Sequence, residues 1–229
     1  MLVLALDTTT RGGSCALVGD DGPLAEQPGD AARPQAERLP ADLAALLERA
    51  GVALRAVEAF AVATGPGSFT GLRIGIATMQ GLAFAAGRPL VGISALDALA
   101  QMGAREAGGA RLATWVDAWR GEVYAALYED GREVIPPLVA RPETLLDDWP
   151  PAPTLFIGDG AEAHRELITR RLGSDGRVAS PALPPLAAAI GGLALAALAA
   201  GDRPPPDEVR PLYVRRPDAE VAREARRGS

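Results

Sequence analysis

The chain has 229 residues, of which 48% are apolar but only 4% aromatic, so alanine and aliphatic side chains must fill its core. Its 23 basic residues are all arginines, and its 29 acidic residues leave a net charge of −6. The lack of lysine excludes a Walker-type phosphate loop, and the acidic balance makes the chain poorly suited to hold RNA or DNA alone.

The single cysteine, Cys15, excludes a disulfide framework and a cysteine-based metal site. It lies within an apolar run, so we expect a buried core residue. Residues 1–7 have no basic segment before the apolar stretch and predict a first core strand, not a signal peptide. The apolar stretches 69–87 and 186–200 are interrupted or too short to span a bilayer, so both predict helices buried in a cytoplasmic protein without membrane contact.

The first part of the chain predicts three strands followed by alternating helices and strands. A run from Leu2 ends at the carboxylate of Asp7, and an Asp-Gly hairpin signal at Gly22 follows the second strand. The later segments are a helix at 35–50, a strand at 58–63, the turn Gly65-Pro66-Gly67 and a helix at 70–86.

The second part repeats this unit with nearly the same spacing. A strand ends at Asp117, a second strand leads to an Asp-Gly turn at Gly131, and the turn 158–160 precedes a helix predicted over 161–172. Such a repeat predicts two lobes of mixed sheet flanked by helices, with a cleft between them. We expect an N-terminal lobe over 1–103 and a C-terminal lobe over 104–229. After the Ala-rich helix 186–200, a proline-rich tail is expected to return to the first lobe.

Several stretches together resemble the TsaB (YeaZ) family. They are Leu4-Ala5-Leu6-Asp7-Thr8-Thr9-Thr10, the block Gly65-Pro66-Gly67-Ser68-Phe69-Thr70-Gly71-Leu72-Arg73-Ile74-Gly75, Gly92-Ile93-Ser94-Ala95-Leu96-Asp97-Ala98-Leu99 and Asp117-Ala118-Trp119-Arg120-Gly121-Glu122-Val123-Tyr124. The resemblance spans most of the chain, and the glycine-rich block is its most specific part.

The resemblance implies the duplicated actin-like, sugar-kinase-like (RNase H-like) ATPase fold. It also implies a role in the threonylcarbamoyl modification of the tRNA adenosine beside the anticodon. In that pathway a TsaB-like subunit is the partner of a homologous catalytic subunit, TsaD, and both work with a small ATPase, TsaE. The chain is then a non-catalytic accessory subunit that meets tRNA only through the complex and forms a homodimer when alone.

The catalytic relative binds metal through two histidines spaced His-x-x-x-His on a helix of the first lobe. The corresponding stretch here, residues 33–40, has no histidine. The chain's one histidine, His164, has no second ligand in reach along its helix, so we interpret it as a surface residue. We therefore predict no metal site and no cofactor.

Asp7 and Asp117 end the first strand of each lobe, where this fold directs side chains into the cleft. With Thr8 and Gly12 they are candidates for a degenerate nucleotide cleft. The alternative is that each aspartate caps a turn by accepting backbone N–H bonds. The glycines from Gly65 to Gly71 leave two interpretations as well: a phosphate cradle before a helix N-terminus, or a structural turn in which Ser68 caps the helix.

The helix over 69–86 has one ionisable residue, Arg73, and small or apolar residues all round. A helix that packs by one face shows a polar opposite face, so we expect both faces to be covered. Gly71 and Gly75 would let a second helix approach. The alternative is that the chain's own C-terminal tail covers this helix.

The helix over 36–50 carries an apolar stripe and could form half of a four-helix interface with its neighbour. The predicted partner contacts are Leu39, Leu43, Leu46, Leu72, Gly75, Ile76, Met79 and Gln80. On this hypothesis, aspartate at Ile76 or Met79 abolishes the complex and leaves the fold intact. The rival hypothesis is a free-standing kinase, ATPase or glycoprotease-like hydrolase that uses Asp7 and Asp117.

Overall fold

The computed structural model describes residues 1–215, and the basic run 223–227 lies outside them. The first lobe comprises β1 (Leu2–Asp7), β2 (Ser14–Gly19), β3 (Gly22–Pro28), α1 (Gln35–Arg49), β4 (Ala59–Gly65), α2 (Phe69–Ala86), β5 (Leu90–Ser94) and α3 (Ala95–Ala107). The second comprises β6 (Arg111–Asp117), β7 (Val123–Glu129), β8 (Arg132–Ala140), α4 (Pro142–Asp148), β9 (Thr154–Ile157), α5 (Asp159–Ala163), α6 (Arg165–Leu172) and β10 (Gly176–Val178), and α7 (Ala187–Ala199) follows.

Each lobe contains one five-stranded mixed sheet, and the two sheets have the same topology. Their strand orders are β3-β2-β1-β4-β5 and β10-β9-β6-β7-β8. In each sheet the first strand pairs antiparallel with the second and parallel with the fourth. The duplication predicted from the repeated carboxylate, hairpin and glycine turn is therefore present in the pairing, and the architecture is the duplicated actin-like fold.

The helices and sheets alternate in layers around three apolar clusters. One cluster joins α1 and α2 to one face of the first sheet. A second joins α3 and α7 to the other face of that sheet and to the facing side of the second sheet. A third joins the outer face of the second sheet to the helices after β8. The two lobes therefore share the layer formed by α3 and α7.

One predicted helix differs from the sequence expectation. The predicted helix over 161–172 is split, because His164 adopts a non-helical conformation (φ −112°, ψ 18°) between α5 and α6. The expected lobe boundary at 103/104 falls inside α3, and α7 packs on β1 and β2 of the first sheet. The packing of α7 on the first sheet joins distant parts of the chain, so no local sequence pattern reveals it.

The segment after α7 runs back along the first lobe. The Leu90 amide donates to the carbonyl oxygen of Pro204, and Gln80 Nε2 donates to those of Pro206 (2.9 Å) and Val209 (3.2 Å). Val209 is buried there. The tail therefore covers one side of α2.

Candidate functional site

Asp7 ends β1 in the interior of the protein and is only 2% exposed. Its Oδ1 accepts from the Thr9 amide at 2.8 Å and from Thr9 Oγ1 at 2.6 Å, and its Oδ2 accepts from Thr10 Oγ1 at 3.3 Å. Burial raises the pKa of the carboxyl, and these hydrogen bonds oppose the shift. The geometry is that of a carboxylate capping its own turn.

Asp117 also caps a turn: its Oδ1 accepts from the Trp119 amide at 2.8 Å. Its own amide donates to Oδ1 of Asp159 at 2.9 Å, and Asp159 accepts from the Gly160 amide at 2.9 Å. Burial raises the pKa of Asp159, whose charge in turn raises the pKa of Asp7. Asp7 and Asp159 thus influence each other electrostatically although they belong to different lobes.

Sequence reasoning missed Asp159 as a cleft residue. The available signal was its position in the glycine turn after β9, which corresponds to the glycine turn after β4 in the repeat. The turn before β7 carries a further feature: Trp119 and Arg120 both have a positive φ of 57°. Non-glycine residues seldom adopt that conformation, which concentrates at functional sites.

Side chains of α1 hold the turn after β1 in place. Thr8 is fully buried, and Gln35 Nε2 donates to the carbonyl oxygens of Thr8 (3.4 Å) and Thr10 (2.9 Å). The Arg38 guanidinium donates to the carbonyl oxygen of Gly12 and to the carboxylate of Asp42. Residues 33–40 correspond to the stretch that holds the catalytic relative's two histidines. In this chain they instead contain the amide of Gln35 and the guanidinium of Arg38, both of which bond to the turn after β1. Among residues 1–215 no group of histidine, cysteine or acidic residues could hold a metal ion.

The glycine-rich block packs α2 onto this same turn. An added Cβ at Gly67 would lie 2.5 Å from the Thr9 carbonyl oxygen, one at Gly71 would overlap the Thr8 carbonyl oxygen, and one at Gly75 would overlap Thr8 Oγ1. Ser68 caps α2, because its Oγ accepts from the Gly71 amide at 3.2 Å. Gly71 and Gly75 thus make room for their own chain, and the expectation that they admit a second helix is corrected.

Most of the predicted partner contacts are core residues of the subunit. Those that are at most 5% exposed are Leu39, Leu43, Leu46, Leu72, Ile76 and Met79. All of them except Leu72 belong to the apolar cluster that contains Leu4, Leu6 and Leu17 of the first sheet, and Leu72 lies beside Gly65 at the end of β4. Gly75 is buried, and the Gln80 amide is bonded to the tail. For α2 the cause is that a helix apolar all round gives no periodic signal for its inner face. For α1 the apolar stripe itself is the inner face, and it packs on the chain's own sheet.

Small or apolar residues also occupy part of the outward sides of α1 and α2, beside exposed charged residues such as Glu48 and Arg73. We name the small and apolar ones the docking face: Ala41, Ala44, Ala77, Gly81, Phe84 and Ala85. Phe84 is 82% exposed, and a Cβ added at Gly81 would meet nothing within 4 Å. The apolar surplus expected for α2 is therefore real, but different residues form it.

Comparisons with known proteins agree with this architecture. The family model described as TsaD, tRNA N6-adenosine threonylcarbamoyltransferase, matches residues 26–221. The chain is 34% identical to the tRNA threonylcarbamoyladenosine biosynthesis protein TsaB of Escherichia coli K12 over 179 residues, 73% of this chain and 75% of that protein. No helix in residues 1–215 is both long and apolar enough to cross a bilayer.

Solved structures extend the similarity to the fold. The structure of YeaZ from Pseudomonas aeruginosa is 36% identical, covers 93% of this chain and 99% of its own, and superposes with a TM-score of 0.78. Component A of the (R)-2-hydroxyglutaryl-CoA dehydratase of Acidaminococcus fermentans is 10% identical and covers 83% of this chain and 96% of its own, with a TM-score of 0.52. The second likeness concerns the fold alone.

Proposed function

The chain belongs to the TsaB (YeaZ) family, and from this premise we propose that it is the accessory subunit of a tRNA threonylcarbamoyladenosine-forming complex. In this proposal it binds a homologous, TsaD-like catalytic subunit through the docking face. The pair works with a TsaE-like ATPase in the cytoplasm, and tRNA is met through the complex. The chain itself carries out no chemical step.

Gly81 is the observation that carries the proposal. A glycine inside a helix costs about 1 kcal/mol relative to alanine. At Gly71 and Gly75 the contact with Thr8 explains that cost, but at Gly81 nothing in the described protein approaches. A partner helix lying close against Ala77, Gly81 and Ala85 supplies the missing reason. The exposed ring of Phe84 on the same side supports it, because a lone subunit leaves that ring in water.

The state of the cleft supports an accessory role over an enzymatic one. The carboxylate of Asp7 is buried and fully bonded to its own turn, and Thr8 and Gly12 are tied to α1. Phosphoryl transfer requires groups positioned toward a substrate. The Asp7 carboxylate is instead committed to its own turn, and the carbonyl oxygens of Thr8 and Gly12 are bonded to side chains of α1.

A charge on the docking face tests the proposal. We expect Ala77→Asp and Gly81→Asp each to weaken binding to the cognate TsaD-like subunit by about 100-fold, because a desolvated, unpaired charge at an interface costs several kcal/mol. Both positions are solvent-exposed, so the folded state should persist. Isothermal titration calorimetry with the purified partner measures the affinity, and a thermal melt checks the fold.

The matched control places the same charge on another exposed helix position, Ala104→Asp in α3. It should bind the partner as the unmodified chain does. Normal binding by both docking-face variants would refute this assignment. The same face should also mediate homodimerisation in isolation, so Ala77→Asp should sediment as a monomer at concentrations where the unmodified chain associates.

A further inference from the structure

Exposed apolar side chains are concentrated at the N-terminal end of α2. Of the eight large apolar side chains exposed in the described protein, Phe69 and the tail residues Leu212 and Tyr213 lie at this end. Phe69 and Tyr213 are in direct contact, with their ring centres 5.4 Å apart. Isolated exposed apolar residues are ordinary, but a contiguous group indicates an interaction site.

Arg73 lies at the centre of this group, held by two aromatic residues. Its guanidinium carbon lies 4.0 Å from the centre of the Phe69 ring, and its Nε donates to Tyr213 Oη at 3.1 Å. The centres of the Phe69 and Tyr213 rings lie 5.4 Å apart. Within residues 1–215 neither Nη atom donates to an acceptor. In the described part of the chain, the arrangement is a guanidinium fork fixed in direction with both terminal nitrogens open, which suits a bidentate oxyanion.

Tyr213 is held in position because tail residues on either side of it bond to the two lobes. The Leu212 amide donates to the Thr64 carbonyl oxygen at 2.7 Å, and Arg215 bonds to Ala118 and pairs with the carboxylate of Glu122. The cluster is therefore organised before any partner arrives. Preorganised side chains lose little conformational entropy on binding, which favours affinity.

We propose that Arg73, with Phe69 and Tyr213, forms a second contact with the protein partner by binding a carboxylate that the partner presents beside apolar surface. This inference rests on the proposed function. Arg73, Ala77 and Gly81 follow each other at intervals of four residues, so they share one side of α2. The Arg73 cluster is the charged end of the docking face, and the C-terminal tail completes it by supplying Tyr213.

The charges favour a protein partner over RNA. RNA binding needs several cations that neutralise phosphates, whereas Arg215 is already paired with Glu122 and the whole chain has a net charge of −6. Arginine, tyrosine and tryptophan are the residue types that dominate the energetic centres of protein interfaces. A single oriented guanidinium among aromatic rings fits that description.

Titration of the TsaD-like subunit onto Arg73 variants at low and high salt tests the inference. We expect Arg73→Ala to weaken binding by about tenfold at low salt and to reduce its salt dependence, because an ion pair is lost. Arg73→Lys should recover only part of the affinity, since an ammonium cannot make the bidentate contact. Arg88→Ala, an exposed arginine just beyond the other end of α2, is the control and should bind normally.

The outcomes separate this inference from the function on which it rests. If Ala77→Asp abolishes binding while Arg73→Ala and Arg73→Glu bind with unchanged affinity and salt dependence, the Arg73 contact is overturned and the docking face stands. Failure of the unmodified chain to bind overturns both. If Arg73→Ala forms the complex normally but the complex holds tRNA less tightly, the cluster contacts RNA and the protein contact is refuted.

Discussion

The carboxylate of Asp7 is the most buried acidic group of the cleft, and its surroundings determine how it responds to pH. Burial raises its pKa in the folded state above that in the unfolded chain. Between these two values the folded state holds a proton that the unfolded state has released. The free energy of unfolding therefore falls as pH rises through this window, by at most about 1.4 kcal/mol per pH unit for this group.

Asp7→Asn should remove this contribution. Asparagine retains an acceptor for the Thr9 amide, so we expect the variant to fold. Relative to the variant, the unmodified chain should lose stability as pH rises above the ordinary carboxyl pKa of 3.8. Urea denaturation at a series of pH values measures the difference, and parallel stability curves for the two proteins would contradict the assigned cause.

Unlike the burial of Asp7, the burial of Cys15 follows directly from the residues around it in the sequence. It was expected in the core because it lies in an apolar strand, and it is 3% exposed in β2. Burial raises the pKa of its thiol to about 11. The thiol therefore stays protonated at neutral pH and acts as a small apolar side chain.

At the scale of the element, α2 has two faces that its sequence does not distinguish. Glycines occur on both, but Gly75 touches Thr8 whereas Gly81 faces open space. Gly75→Ala should destabilise the fold by about 1–3 kcal/mol, because the fully buried Thr8 has no room to move. Gly81→Ala should stabilise it by up to about 1 kcal/mol through helix propensity alone.

Chemical denaturation of the two variants measures this difference directly. Equal stability of the pair would show that the turn after β1 yields to an added methyl group.

The burial of the inner face of α2 also explains why aspartate at Ile76 or Met79, which the sequence suggested as a test of partner binding, is unsuitable. Ile76 and Met79 are 4% and 0% exposed, so aspartate there would place a charge in the core and unfold the lobe.

At the scale of the whole molecule, the tail joins the two lobes. It contacts the first lobe through Gln80 and Thr64, and Arg215 then reaches Ala118 and Glu122 in the second. We expect Arg215→Ala to loosen the turn before β7, and loss of a charge-assisted bond of about 1.5 kcal/mol corresponds to about tenfold faster local hydrogen exchange.

Hydrogen exchange read by mass spectrometry over residues 118–122 measures this effect. Arg210→Ala is the control, because within residues 1–215 the Arg210 guanidinium bonds only to carbonyl oxygens of the tail itself, at Asp207 and Val209. It should leave the turn unchanged. Identical exchange in both variants would show that the tail does not restrain the second lobe.

The sequence alone determined the repeated order of strands, the two-lobed fold and the family. Each of these depends on residues close together in the chain: alternating apolar runs, an Asp-Gly hairpin, a glycine-rich block. Local spacing carries that information because backbone conformation and strand pairing respond to neighbouring residues.

Only the tertiary structure decided which face of α2 is inside, why Gly75 is glycine and which residues remain exposed for a partner. The contact of Gly75 with Thr8, the bond of Gln80 to the tail and the electrostatic influence of Asp159 on Asp7 join residues 67 or more positions apart in the chain. A helix that is apolar on every side has no periodicity to orient it. Its inner face is set by the sheet and the turn against which it packs, and those surfaces exist only once the chain has folded.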